Sequence, residues 1–296
     1  MKQLIQILKL INQHPLTRDQ KFRALLRWIR WQMGSRLISE KVMHTWIKNI
    51  TFLVGQGETG LTGNLYVGLH EFTDMAFVLH FTRKQDWFVD VGANAGSYTL
   101  LCGGVCGARG YAIEPIPETF QRLRKNIQLN DLETRVQIFN VGMGSRVGYQ
   151  RFSSRNDCMN RIIATKHSKD FVQVRVETLD RILKKSNPRI MKIDVEGYEV
   201  PVLQGAHHLL EKRSMKAILI ETNDSGQTYG FTNQAIAVQM LKHQFKAYEY
   251  DPWQRRLKKL EKPCQDQGNT LFIRDLAFVQ KRVEAAPRVE ILGHAF

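Results

Sequence analysis

Five acidic residues in this sequence stand where chemistry is usually done. Asp90, Glu114, Asp194, Glu196 and Glu221 each fall at or just beyond the end of a short apolar run. Such runs read as buried parallel strands, and in an open α/β sheet ligands gather at the carboxyl ends of the strands. Carboxylates crowded into one crevice are costly unless a cation, a ribose hydroxyl or a metal answers them. Asp90 leads directly into Gly92-Ala93-Asn94-Ala95-Gly96, giving D-x-G-x-N-x-G, and Ser97 to Leu101 then resume a pattern that suits a helix. Glycines in such a turn let backbone approach a ligand closely. The dinucleotide fingerprint G-x-G-x-x-G fails, because Asn94 and Ser97 occupy its second and third glycine positions. A phosphate-cradling G-x-x-x-x-G-K-S/T fails too: Gly92 and Gly96 are one residue too close and no Lys follows. What remains is a loop for a ligand without a pyrophosphate. Glu114 closes the next strand before Pro115, 18 residues beyond Gly96. That is near the ~20-residue spacing at which a second-strand carboxylate reaches a ribose diol.

Asp90 to Thr99, Ala112 to Pro115, and Met191 to Glu199 with its Asp194-Val195-Glu196-Gly197 core together resemble the FkbM family of S-adenosylmethionine-dependent methyltransferases. The resemblance runs from about Leu65 to Asp275. It implies a class I methyltransferase fold: a Rossmann-like, mostly parallel seven-stranded sheet with helices on both faces. It further implies methylation of a hydroxyl on a sugar or natural product. Cofactor contacts are then expected at Asp90, Gly92, Ala93, Asn94, Gly96, Tyr98, Glu114, Pro115, Asn140, Val141 and Asp194.

Methyl transfer from a sulfonium is an in-line displacement, so the protein must align donor and acceptor and remove the acceptor's proton. Asp194 and Glu196 are the candidates for that base, with His70 behind them. A divalent cation held by Asp194, Glu196 and Glu221 would be another way to lower the acceptor's pKa.

The elements that position these residues follow from the pattern. Residues 87–91, 110–114, 136–141, 189–194, 217–221, 245–250 and 270–274 read as strands, and residues 117–129, 198–210 and 233–243 as helices. Strands alternating with helices imply a mostly parallel sheet. Upstream, residues 3–13, 17–32 and 36–49 read as helices, with Phe22, Leu25, Leu26 and Ile29 as an apolar face packed on the larger domain. Thr51–Val54 and Asn64–Val67 are short strand candidates, and His70-Glu71 opens a helix running to about His80. The polar stretch from Gly144 to Lys169, with Arg146, Arg151, Arg155 and Arg161, reads as a functional insertion. The expected division is an N-terminal helical extension and lid over 1–80, a methyltransferase domain over 81–280 and a C-terminal tail over 281–296.

The 296 residues carry a formal charge of +15, and residues 1–50 alone hold ten Lys or Arg against Asp19 and Glu40. That charge is either a solvated face or an attraction to an anionic partner such as a membrane surface, a glycolipid or nucleic acid. No apolar stretch approaches the ~20 residues that span a bilayer. Cys102, Cys106, Cys158 and Cys264 form no C-x-x-C pair, which fits a reducing cytoplasm, with or without peripheral membrane contact. A nucleic-acid methyltransferase would carry an Asn/Asp-Pro-Pro-Tyr/Phe tetrad, and here Asn187-Pro188 is followed by Arg189. Transfer to a small-molecule amine, or binding of the cofactor without catalysis, remain the alternatives. A small molecule, glycan or glycolipid is the expected acceptor.

Overall fold

The computed structural model describes the chain except residues 1, 38–39, 56–57, 154–170, 263 and 265–267. Helices α1 (Lys2–Gln13) and α2 (Lys21–Leu37) precede a hairpin of β1 (Val42–Thr45) and β2 (Thr51–Val54), followed by helices α3 (Thr59–Val67) and α4 (Phe72–Phe81). The central sheet then begins with β3 (Trp87–Val91). A short helix α5 (Ser97–Thr99) leads to β4 (Arg109–Ile113), α6 (Pro117–Leu129) and β5 (Val136–Phe139). A side ribbon follows, made of β6 (Gly142–Met143), β7 (Gly148–Ser153) and β8 (Phe171–Glu177), and α7 (Leu179–Ile182) leads back to the centre. The second half comprises β9 (Ile190–Ile193), α8 (Glu199–Gln204), α9 (His207–Glu211), β10 (Ala217–Glu221), α10 (Asn233–Lys242), β11 (Lys246–Asp251), β12 (Arg256–Lys259) and β13 (Asn269–Ile273). Helix α11 (Leu276–Glu284) and a hairpin of β14 (Glu290–Ile291) and β15 (His294–Ala295) close the chain.

The strands order as β12-β11-β13-β10-β9-β3-β4-β5. β5, β4, β3, β9 and β10 run parallel, and β13 runs antiparallel between β10 and β11. Both faces are buried. Phe88, Ile190 and Leu219 join one apolar cluster with α3 and α4. Val89, Met191 and Ile218 join another with α8 and α10. Strands covered on both sides read as continuous apolar runs, which is why the sequence pattern located them.

Several expectations need correction. The sheet has eight strands rather than seven, because β12 extends it as a hairpin partner of β11. Its sequence, Arg-Leu-Lys-Lys, hides a solvent-facing edge strand behind charge. The helix expected over 36–49 gives way to a strand: β1 takes up Val42–Thr45, with Val42 paired to Val54 and His44 to Phe52. Asn64–Val67 belongs to helix α3, stopped by Gly68 at φ 83. That helix is buried over residues 61–67 on every side and mixes Thr, Gly and Asn among its apolar residues, so it has no 3.6-residue period to reveal it. Residues 198–210 break into α8 and α9 at Gly205, where a Cβ would lie 2.1 Å from the Gly144 carbonyl oxygen. Helix α2 buries Ala24, Trp31 and Ser35, while Phe22, Leu26 and Ile29 face solvent.

The expected boundary at residue 281 falls inside α11, and Phe296 packs edge-on against Phe72 and Trp253. Arg155, Arg161 and Cys158 lie outside the described residues. Cys102 and Cys106 are free thiols.

Candidate active site

A polar stripe crosses one face of the sheet at its strand ends. Asp90 pairs with Lys192 across β3 and β9, and Glu221 with Asn269 across β10 and β13. Lys192 also pairs with Leu219, two residues before Glu221, so the period of two puts all four side chains on one face. With the loops after β3, β4 and β9, Asp90, Lys192 and Glu221 line a cavity of about 360 Å³.

At one end of the cavity lie Asp90 and Glu114. Asp90 is buried and accepts a hydrogen bond from Thr99 Oγ1 at 2.6 Å. Burial raises its pKa to about 6, with the Thr99 bond opposing. Glu114 accepts the Asn94 amide at Oε2 (3.0 Å) and the Ile116 amide at Oε1 (2.9 Å). Burial raises it to about 7. Asn94 adopts a left-handed conformation, φ 50, and its Oδ1 accepts the Ala95 amide at 2.6 Å. Asn tolerates that conformation better than most residues, so it can stand where glycine would otherwise be required.

Gly92 has φ 78, and a Cβ on it would lie 1.7 Å from the Asp194 carbonyl oxygen. The neighbouring strand end, and not a ligand alone, demands glycine there. Gly96 starts α5 at φ 101 and does not line the cavity. Asn140 is off the lining as well: its Nδ2 donates to the Glu114 and Pro115 carbonyls at 2.8 and 3.0 Å. Val141, Ala93, Tyr98 and Pro115 do line the cavity.

At the other end stand Asp194, Glu196 and Glu221, whose carboxylate oxygens lie within 4.8 Å of one another and could hold a metal ion. Glu196 adopts φ 55, a strained conformation for a residue other than glycine, and Gly197 follows at φ 100. Glu199 fastens this turn by accepting the Val195 and Gly197 amides at 3.0 and 3.2 Å. Burial first, then repulsion from Asp194 and Glu196, raises Glu221 to about 9. One carboxyl of the cluster therefore stays protonated at neutral pH.

The sequence pattern did not single out Lys192. Its Nζ donates to Asp194 Oδ2 at 3.0 Å and to Asn269 Oδ1 at 2.7 Å. Asn269 in turn donates to Glu71 (2.7 Å) and Asp74 (2.9 Å), and Tyr98 donates to Glu71 at 2.8 Å. Burial pulls the Lys192 pKa down, but Asp194, Glu71 and Glu221 together hold it above its ordinary value. The signal available was a lone cation inside the apolar strand Ile190-Met191-Lys192-Ile193, since Lys is rarely buried without a partner. His70 lines the cavity beside Glu71, exposed, with its own amide held by Asn64 Oδ1 at 2.8 Å.

The strand order, with one antiparallel strand between two parallel ones at one side, is that of a class I methyltransferase fold. A profile of the methyltransferase FkbM domain matches residues 90–250. The chain belongs to the FkbM methyltransferase family. It is 28% identical over 147 residues to the hexuronic acid methyltransferase AglP of Haloferax volcanii, a match covering 49% of this chain and 59% of that protein. Thus the chain spans less than two thirds of this relative's length. Among solved structures it resembles methyltransferase FkbM of Methylobacillus flagellatus, with a TM-score of 0.44 and 16% identity, over 72% of this chain and 52% of that one. It also resembles P. horikoshii TYW2 in complex with MeSAdo, with a TM-score of 0.43 and 14% identity, over 80% of this chain and 70% of that one. Among the described residues no helix is long and apolar enough to cross a membrane.

Proposed function

We propose that this chain is an S-adenosylmethionine-dependent O-methyltransferase acting on a sugar or glycan hydroxyl. The observation that carries the proposal is one cavity with two differently built ends. Asp90 and Glu114 line the first end, and Asp194, Glu196 and Glu221, with Lys192 beside Asp194, line the second.

The first end fits the cofactor's chemistry. Asp90 is a buried carboxylate whose remaining need is a cation, which an amino-acid ammonium meets. Glu114 keeps lone pairs beyond its two backbone bonds, which ribose hydroxyls can use. Ala93, Asn94, Pro115 and Val141 complete the wall. Bound S-adenosylmethionine would supply an activated methyl group.

At the second end the protein binds and deprotonates the acceptor. The O–H proton passes to the Asp194–Glu196 pair, Lys192 orients Asp194, and protonated Glu221 donates to an acceptor oxygen. Among the described lining residues Lys192 is the only Lys or Arg, against Glu71, Asp90, Glu114, Asp194, Glu196 and Glu221. Neutral hydroxyls suit such a wall better than a carboxylate, although the AglP relative is a hexuronic acid methyltransferase. The domain division that goes with this is an extension and lid over 1–80 and a transferase from residue 81, with the last boundary moved past the end of α11 at Glu284.

A base acting on a hydroxyl contributes typically about 10²–10⁴-fold. Asp194→Asn and Glu196→Gln are therefore expected to keep affinity for S-adenosylhomocysteine by calorimetry while turnover falls by about that factor. The acceptor for these assays comes from labelled-methyl transfer into fractionated glycans. Normal turnover in both variants would remove the pair from catalysis. The close approach of the three carboxylates supports a second, metal-assisted version. In that version a chelator abolishes activity of the unmutated protein and added divalent ion restores it, whereas direct base catalysis survives chelation.

A further inference from the structure

Helix α2 carries an apolar stripe on its outer face. Phe22, Leu26, Ile29 and Met33 recur at helical spacing and are 72, 40, 36 and 63% exposed. The buried face of the same helix is Ala24, Trp31 and Ser35, so the outward stripe is not a packing surface left over at an edge. α1 adds exposed Leu4, Ile5 and Leu8 next to buried Ile11. Nine of the sixteen large hydrophobics that are exposed among the described residues fall within residues 4–43. Monomeric proteins rarely concentrate apolar surface in this way without a partner.

Cations flank the stripe. Lys9, Lys21, Arg23, Arg30 and Arg36 are exposed, and neither helix contains an acidic residue. Arg27 differs from them, because its Nε donates to the Tyr66 carbonyl and fastens α2 to α3.

We propose that α1 and α2 form a docking surface for an anionic lipid membrane, with the Phe22–Met33 stripe entering the interface and the flanking cations contacting the headgroups. An aliphatic and aromatic stripe bordered by Lys and Arg is the composition of an in-plane interfacial helix. A nucleic acid would use the cations but give the aliphatic stripe nothing to bury against. A second copy meeting face to face would bring two acid-free basic surfaces together, which like-charge repulsion opposes. The surface is one helix away from the cavity, since α3 holds Asn64, whose side chain contacts the His70 amide and Ser97 Oγ. The proposal does not depend on the methyltransferase assignment.

The test is flotation of the full chain with vesicles of phosphatidylcholine alone and of phosphatidylcholine with one quarter phosphatidylglycerol. Binding is expected only to the anionic vesicles and should weaken as salt rises from 50 to 300 mM. A cation near an anionic surface contributes about fivefold to partitioning. Arg23→Glu with Arg30→Glu should therefore lower binding by about 25-fold or more. Phe22→Ser with Ile29→Ser should lower it comparably even at low salt, with an unchanged melting temperature because both positions are exposed. Failure of the unmutated chain to float, or flotation of both double variants as strong as that of the unmutated chain, would overturn the proposal. So would tight binding of a random oligonucleotide that the Phe22/Ile29 variant retains. A dimer in light scattering that this variant splits, without any loss of vesicle binding, would assign the stripe to self-association instead.

Discussion

Lys192 shows how one charge can hold a site together. It is buried at 4% exposure and answers Asp194 directly, with Glu71 and Glu221 contributing at longer range. Its neighbours are hydrogen-bonded rather than merely close, which is the condition under which a buried charge is tolerated. Lys192→Met keeps most of the volume but leaves the acids uncompensated. Removing one partner of a buried pair costs about 3–5 kcal/mol, so denaturant unfolding should show a loss of that order. The loss should shrink at acidic pH, where the acids protonate. A variant as stable as the parent at pH 8 would show that Lys192 does not balance the cluster. At the same scale Asn94, with its left-handed backbone and a side chain that accepts the Ala95 amide, explains a departure from glycine that a motif search registers only as a mismatch.

At the level of elements, the strand-end loops of β3 and β9 are built around each other. Gly92 and Asp194 touch through backbone, and Gly197 meets Ser225 and Gly226 in the same manner, its Cβ position lying 2.6 Å from the Ser225 carbonyl carbon. A Cβ at Gly92 would overlap a carbonyl oxygen at 1.7 Å and would also have to adopt φ 78. The Asp194 backbone cannot yield cheaply, because its amide donates to the Val91 carbonyl at 3.0 Å. Gly92→Ala should therefore cost about 4 kcal/mol or more and displace Asp194. Loss of activity with stability unchanged would mean instead that Gly92 serves only the ligand. The π-helical stretch Leu100–Val105 that follows α5 is a further local departure at this loop, since an unbroken α-helix fits the sequence there.

Across the whole molecule, stability should depend on pH in a direction set by the buried acids. Asp74 and Glu114 are raised to about 7 and Glu221 to about 9, burial being the largest cause in each. A carboxyl whose folded pKa exceeds its unfolded value binds more protons when folded, so stability falls as pH rises between the two values. His14 and His80, lowered to about 4 chiefly by burial, act in the opposite sense between about 6.5 and 4, and contribute no slope above that. Calorimetry of the ligand-free protein should thus show stability falling between pH 6.5 and 8.5, on the order of 2 kcal/mol. A flat or rising profile would mean that these acids are ionised at little cost.

What the sequence determined by itself was the parallel core and the identity of its strand-end acids. Buried strands must be apolar, and the polar residues that interrupt or close them stand out against that background. Asp90, Glu114, Asp194 and Glu196 were legible for this reason, and the structure brings all of them to one cavity. Elements whose exposure differs from the usual case were not legible. β12 is charged because it is an edge, α3 lacks a period because it is covered nearly all round, and the apolar stripe of α2 faces outward. Periodicity reports that one face differs from another, but not which face is covered. Only tertiary structure decided that Asn269, from a strand far along the chain, would join Lys192 to Glu71, and that Gly92 would lie under Asp194. Those contacts depend on the register between strands that are distant in sequence. Register is set by the packing of the whole sheet and not by any local run of residues.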